Sequence, residues 1–205
     1  MVISIFRAMT IEGQEIFAFN AKRKTDYLCP HCKHTVRLRA GKIVKHHFYH
    51  LKGSNCKYKG ESEEHLMMKQ RVIDFFNEYP MRIEIQVIPY RRADVLLQVG
   101  KKCIVVECQT SPITIEEWNK RTLDYSRNGI YVLWIFHTKR LKIKNIYEFD
   151  EENEIRVPVE ILHAQHYSNK VFLMDDEQNI ISCKFTPVER TVYFNNLHYT
   201  YTLKR

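Results

Sequence analysis

Asp94, Glu107 and Gln109 are the residues whose types and spacing most directly suggest chemistry in this 205-residue chain. They lie in RRADVLLQVGKKCIVVECQT, residues 91–110. Asp94 opens an apolar run, Gly100-Lys101-Lys102 supplies a turn, and a second apolar run delivers Glu107 and Gln109. Side chains alternate faces along a strand, so Glu107 and Gln109 point the same way. A hairpin turning near Gly100 brings Asp94 beside Glu107. Two adjoining carboxylates repel one another unless a cation sits between them. Oxygen donors suit magnesium or manganese. That layout is the layout of a metal-dependent phosphodiesterase site.

A second set of donors lies upstream. Cys29 and Cys32 form a CxxC knuckle, followed by HFYH at 47–50 and by Cys56. Thiolates and imidazoles at such spacings suit tetrahedral zinc. The fourth ligand is His47 or His50, and the other is left to contact phosphate or hydrogen-bond the site. Residues 29–60 are rich in Cys, His and Lys with few large aliphatics, so metal binding would supply folding energy the segment lacks. Disulfides are the alternative, but the mixture with histidines and the absence of a signal-like N-terminus argue against them. Cys103, Cys108 and Cys183 sit in apolar strand contexts and read as small core residues.

The elements that must hold these residues follow from periodicity. Residues 1–28 carry short alternating runs around Glu12-Gly13 and predict a small hairpin or meander. Residues 62–78 predict a helix, with Ser62 as N-cap and Glu63 and Glu64 in the first turn. His65, Met68, Val72 and Phe75 share a face of it. Strands are expected at 82–88, 92–99 and 102–109, a helix at 114–128 capped by Thr114 and ended by Asn128-Gly129, and a buried strand at 130–136. The order from residue 62 is α-β-β-β-α-β. Beyond 137, VPVEIL, KVFLM, IISCKF, TVYF and HYTYTL suggest a β-rich C-terminal part. The expected fold class is α/β (α+β). It has three parts: a hairpin and zinc module over 1–60, an αβββαβ core over 61–137 and a β-rich region over 138–205.

Charge is uneven. The net charge is +8, yet residues 1–60 alone carry twelve Lys/Arg and three Asp/Glu. The remaining 145 residues hold twenty and twenty-one. A basic block beside a two-carboxylate site suggests a polyanionic partner, most simply DNA. The bland alternative is a soluble basic surface. No run approaches ~18 uncharged apolar residues, so no membrane span is expected, and a cytoplasmic location is the default.

These motifs, taken in order, resemble the CoiA-like competence protein family, whose members are proposed PD-(D/E)xK nucleases with a restriction-endonuclease-like core. The resemblance runs from about residue 27 to 137. It rests on CPHC with HFYH and Cys56, ESEEHLMMK (61–69), RRADV (91–95), VECQTSPI (106–113), RTLDYSRNGI (121–130) and VLWIF (132–136). It implies a role in handling DNA taken up by a competent bacterium, near recombination, with recombination proteins as partners and no small-molecule cofactor. It also implies roles for residues. Asp94 and Glu107 bind magnesium or manganese, and Gln109 orients water. Glu64, His65 and Lys69 of the first helix add metal or water contacts. Arg121 and Tyr125, four apart on the second helix, hold a phosphate, and Arg91 and Arg92 are further DNA contacts. His65 reads equally well as a core histidine, and Arg121 and Tyr125 as packing and a surface ion pair. Gln109 stands where many such nucleases carry lysine, and its amide cannot accept a proton. Lys69 can supply the missing charge. The β-rich tail replaces a larger helical region expected of the family, which leaves a phage or mobile-element relative open. Two rivals to a nuclease remain: a DNA-binding protein without turnover, and an adaptor whose zinc module docks a recombination partner.

Overall fold

The computed structural model describes residues 4–41, 46–51, 55–57, 61–147, 154–193 and 196–204. The protein is mixed α+β, with two sheets, and it divides into two compact units, residues 1–67 and 68–205. The first unit carries β1 (Ser4–Ile5), β2 (Arg7–Met9), β3 (Glu15–Phe17), β4 (Asp26–Leu28), β5 (Thr35–Arg39) and β6 (His47–His50) in one sheet of order β1-β6-β5-β4-β2-β3. β2 and β3 form the hairpin expected around Gly13, whose φ of +84° is the left-handed conformation that glycine adopts without a steric cost. The Cys/His-rich segment also contributes β5 and β6. Besides Cys29, its buried apolar side chains among the described residues are Val36, Leu38 and Phe48. They share the unit's interior with Phe6 and Tyr27, and the rings of Tyr27 and Phe48 meet edge-on at 5.1 Å. Lys42, Lys45, Lys52 and Lys59 of the basic block lie outside the described residues.

α1 (Glu63–Phe75) spans the boundary between the units. β7 (Met81–Ile88), β8 (Arg91–Val99), β9 (Lys102–Gln109), α2 (Ile115–Ser126) and β10 (Ile130–His137) follow, and with α1 they realise the order α-β-β-β-α-β. Thr114 caps α2 as expected, accepting a hydrogen bond from the Glu117 amide at 3.1 Å. β7, β8 and β9 form an antiparallel meander, and β10 then pairs parallel with β9 after the α2 crossover.

The C-terminal strands are not a separate sheet. β11 (Val171–Met174) pairs parallel with β10, and β12 (Ile180–Tyr193) and β13 (Asn196–Lys204) extend it antiparallel, giving the order β13-β12-β11-β10-β9-β8-β7. One expected strand segment is helical instead. VPVEIL leads into α3 (Val159–Ser168), where Pro158 occupies the N-cap and Glu160 the first turn, and Asn169 closes it at φ +64°. Proline fits a helix start because the first backbone N–H groups have no intrahelical partner.

Each face of this sheet is covered. Met68 and Val72 of α1 pack with Val95, Leu97, Val106, Cys108 and Ile135. Trp118 of α2 and Ile161 of α3 pack with Trp134, Phe136 and Leu173. Ile135 and Trp134 are neighbours in β10, so the two clusters lie on opposite faces. β9 and β10 are therefore sandwiched, which is why both read as nearly continuous apolar runs. No helix among the described residues is long and apolar enough to cross a membrane.

Candidate active site and metal centre

Glu107 sits in β9 at 1% exposure, surrounded by apolar residues. A carboxylate there is costly unless it is paired and hydrogen-bonded. Two side chains from α2 meet that need: the Arg121 guanidinium pairs with Oε2 and the Tyr125 hydroxyl donates to Oε1 at 2.9 Å. Arg121 in turn stacks on the Trp134 ring, 4.9 Å from its centre, and the Trp134 indole donates to Thr122 Oγ1 at 3.0 Å. Trp134 is the β10 register partner of Glu107, so one row across the sheet positions the whole group. Burial pushes the Tyr125 hydroxyl's pKa up, and the neighbouring Glu107 carboxylate pushes it further, so Tyr125 stays a donor.

Asp94 approaches the same place from β8. The β8–β9 ladder pairs Val95 with Val106, and one step on it brings Asp94 toward Glu107. Asp94 Oδ2 accepts from the Cys108 amide at 2.9 Å. The hairpin thus aligns the two carboxylates, but an arginine supplies the positive charge at Glu107. Arg121 and Tyr125, which the sequence left open between holding a phosphate and packing with an ion pair, are turned inward onto this carboxylate. Gln109 is nearly buried, and its amide nitrogen donates to the Ser111 carbonyl at 2.6 Å. Its amide oxygen is the end suited to accept a hydrogen bond from a water.

Lys69, the second residue of the second unit's part of α1, is fully buried and ion-paired with Glu84 of β7. Glu84 occupies the β7 position between the Ile83–Val95 and Ile85–Ala93 pairs, the step that faces Asp94 on β8. Its φ of +48° takes it out of the regular pleat. Sequence reasoning passes over Glu84, because the alternation in RIEIQVI places it on a solvent face. Trp134 is missed for a similar reason, since it lies within an apolar run. Arg91 is held by Asp124 at 2.7 Å and Glu117 at 3.0 Å, whereas Arg92 is exposed.

In the first unit, His65 Nδ1 lies 3.1 Å from Glu61 Oε2, and the His65 amide donates to Ser62 Oγ, the expected cap, at 3.2 Å. Glu64 is half-buried in the first turn. Farther up the chain, Cys29, Cys32, His50 and Cys56 place their donor atoms within 4.8 Å of one another. His47 is buried and lies outside this group. The knuckle turns through Lys33 at φ +61°, with Cys29 and Lys33 joined by a backbone hydrogen bond of 2.9 Å. The Cys29 and Cys56 sulfurs are 4.0 Å apart, and Cys32 Sγ is 3.2 Å from His50 Nε2. Metal–sulfur bonds of ~2.3 Å in a tetrahedron imply ligand–ligand edges of roughly 3.8 Å. The cluster can therefore hold a metal ion such as zinc. Burial raises the Cys29 thiol to about 11. Burial also acts on Cys32, but hydrogen bonds from the His34 backbone and from His34, His50 and Cys56 outweigh it and bring the thiol down to about 6. A thiol that ionises readily suits a metal ligand.

The sequence has counterparts among known proteins. Residues 61–205 match the family described as competence protein CoiA, nuclease-like domain, and residues 12–59 match the competence protein CoiA, N-terminal domain. The competence protein CoiA of Bacillus subtilis (strain 168) is 26% identical over 127 residues, which cover 58% of this chain and 34% of that protein. The chain thus spans roughly a third of that relative's length. Both matches fall in chain order, and the nuclease-like one alone takes in most of the residues, so this chain belongs to the competence protein CoiA family.

Proposed function

We propose that the chain is a magnesium- or manganese-dependent DNA nuclease of the PD-(D/E)xK class that serves competence, processing incoming DNA near the recombination machinery. The observation that carries this reading is the convergence of Asp94 and Glu107 on neighbouring strands within a nuclease-like domain. Two carboxylates so aligned fit a hard divalent cation. Such a cation, held by Asp94 and Glu107, would polarise the scissile phosphate and acidify a bound water. Gln109, its amide fixed by Ser111, orients that water. Lys69, fixed by Glu84, supplies the charge that Gln109 lacks. In this division, residues 61–137 form the reactive core, 1–60 a zinc module that grips the DNA backbone, and 138–205 the strands that flank the core. The zinc module has the means: Arg23, Lys24, Arg37, Arg39 and Tyr49 line a cavity of about 560 Å³. Arg39 stacks on Tyr49 at 4.9 Å, and of the four cations Arg37 is paired with Asp26.

The test is a cleavage assay on single- and double-stranded DNA. Magnesium or manganese should support hydrolysis, and EDTA should abolish it. Zinc held by the module should survive brief EDTA treatment that strips the weaker magnesium site. Failure to cleave with either metal would leave the second reading, a DNA-binding protein without turnover. Arg121 on Glu107 and the glutamine at 109 are what favour that reading.

We further propose that Cys29, Cys32, His50 and Cys56 bind structural zinc. Elemental analysis should find about one equivalent per chain. Cys32→Ser should lose it and destabilise the first unit, because metal binding is folding energy there. Folded wild-type protein carrying less than about a tenth of an equivalent would refute the site.

A further inference from the structure

Tyr90 is the most exposed large hydrophobic side chain among the described residues, at 97%. It lies at the turn between β7 and β8 with a φ of +67°, a conformation that favours glycine or asparagine over a bulky side chain. A ring that gains no burial, at a position that disfavours it, contributes nothing evident to stability. It does border a cavity of about 450 Å³, whose far wall is the exposed Lys120, Arg127 and Asn128 of α2 and its end.

The charges in this cavity are sorted. Arg91 spans from the hairpin to α2 and is bound by both Asp124 and Glu117, so each acid is ion-paired, and with Lys120 and Arg127 the group carries a net charge of +1. Lys120 and Arg127 are two helical turns apart on one face, about 10 Å along the axis. An exposed aromatic face opposite two cations is the arrangement that binds unpaired nucleotides, because every base can stack and every phosphate is an anion. The same two elements carry the candidate active site. Asp94 is four residues beyond Tyr90 on β8, and Arg121 and Tyr125 of α2 hold Glu107.

We propose that this cavity binds an unpaired nucleotide of single-stranded DNA, the base stacked on Tyr90 and the backbone held by Lys120 and Arg127. The protein therefore acts on single strands or on duplex ends that have opened. The inference rests on the nuclease reading for its placement beside the reacting atoms, but binding in EDTA tests it independently of cleavage.

In EDTA, Tyr90→Ala should weaken binding of a single-stranded oligonucleotide about 5- to 150-fold, and binding of a blunt duplex less than about twofold. Tyr90→Trp should retain affinity, and its fluorescence should be quenched by the single strand. Trp118 and Trp134 are buried and set a constant background. Lys120→Ala and Arg127→Ala should each flatten the salt dependence for single strands by about 0.7 in log–log slope. Equal losses on both substrates, no loss with Tyr90→Ala, or an unquenched Tyr90→Trp would overturn the proposal. Tyr90 is fully exposed, so misfolding does not confound these variants. If the single-strand effect is present while wild-type protein fails to cleave with magnesium, the nucleotide site stands and the nuclease reading falls.

Discussion

Asp94→Asn and Glu107→Gln are each expected to reduce magnesium-dependent cleavage by at least about a thousandfold, since each removes a charge that would hold the cation. DNA binding in EDTA should persist within a few-fold, because the basic cavity of the first unit is untouched. The two variants should differ in stability. Asn at 94 keeps a carbonyl to accept the Cys108 amide, so Asp94→Asn should unfold near the wild-type temperature. Two like charges side by side would predict that neutralising either one relieves repulsion. Glu107, however, is nearly fully buried against Arg121, and Glu107→Gln leaves that guanidinium without its anion. A loss of about 2 kcal/mol is expected, the scale of one hydrogen bond to a charged group. A single magnesium titration, run on both variants beside denaturant melts, reads both effects. Cleavage near the wild-type rate by both variants would remove the active site from this hairpin and leave a DNA-binding protein in its place.

The contrast between these two carboxylates shows where sequence reasoning reaches its limit. Strand period, the turn at Gly100 and the apolar run before Glu107 were enough to place Asp94 beside Glu107, because they are local signals. The Thr114 cap and the CxxC knuckle were legible for the same reason. Arg121 and Tyr125 were recognisable as a pair on one helix face, but not the direction of that face. A helical i, i+4 pair looks the same whether it meets solvent or a buried carboxylate, and only the parallel docking of β10 against β9 turns it inward. Glu84 was hidden more deeply, since a positive φ within an otherwise alternating strand reverses the expected facing. The C-terminal strands were readable as strands, but not as members of the core sheet. Their pairing with β10 is a contact across sequence that periodicity does not encode. VPVEIL misled because alternation over six residues is too short to exclude a helix that starts at a proline.

Lys69→Met should be the most destabilising single change in the second unit. Lys69 is wholly buried and Glu84 nearly so, and removal of the lysine leaves the carboxylate without its cation in a low-dielectric interior. Breaking a buried ion pair from one side costs about 3–5 kcal/mol. Lys69→Met combined with Glu84→Gln should recover most of that loss, to within about 1 kcal/mol of wild type, because neither charge then remains to be compensated. Urea unfolding of the four proteins in the cycle gives the coupling directly. The double variant also separates the two roles open to Lys69. If the lysine serves only the fold, cleavage should return with stability. If it supplies positive charge beside Asp94 in place of the lysine that Gln109 replaces, the double variant should fold, bind DNA and bind magnesium, yet remain slow by about a hundredfold or more. Restored cleavage in the folded double variant would confine Lys69 to a structural part. A coupling energy below about 1 kcal/mol would show that the pair does not hold α1 to β7 at all.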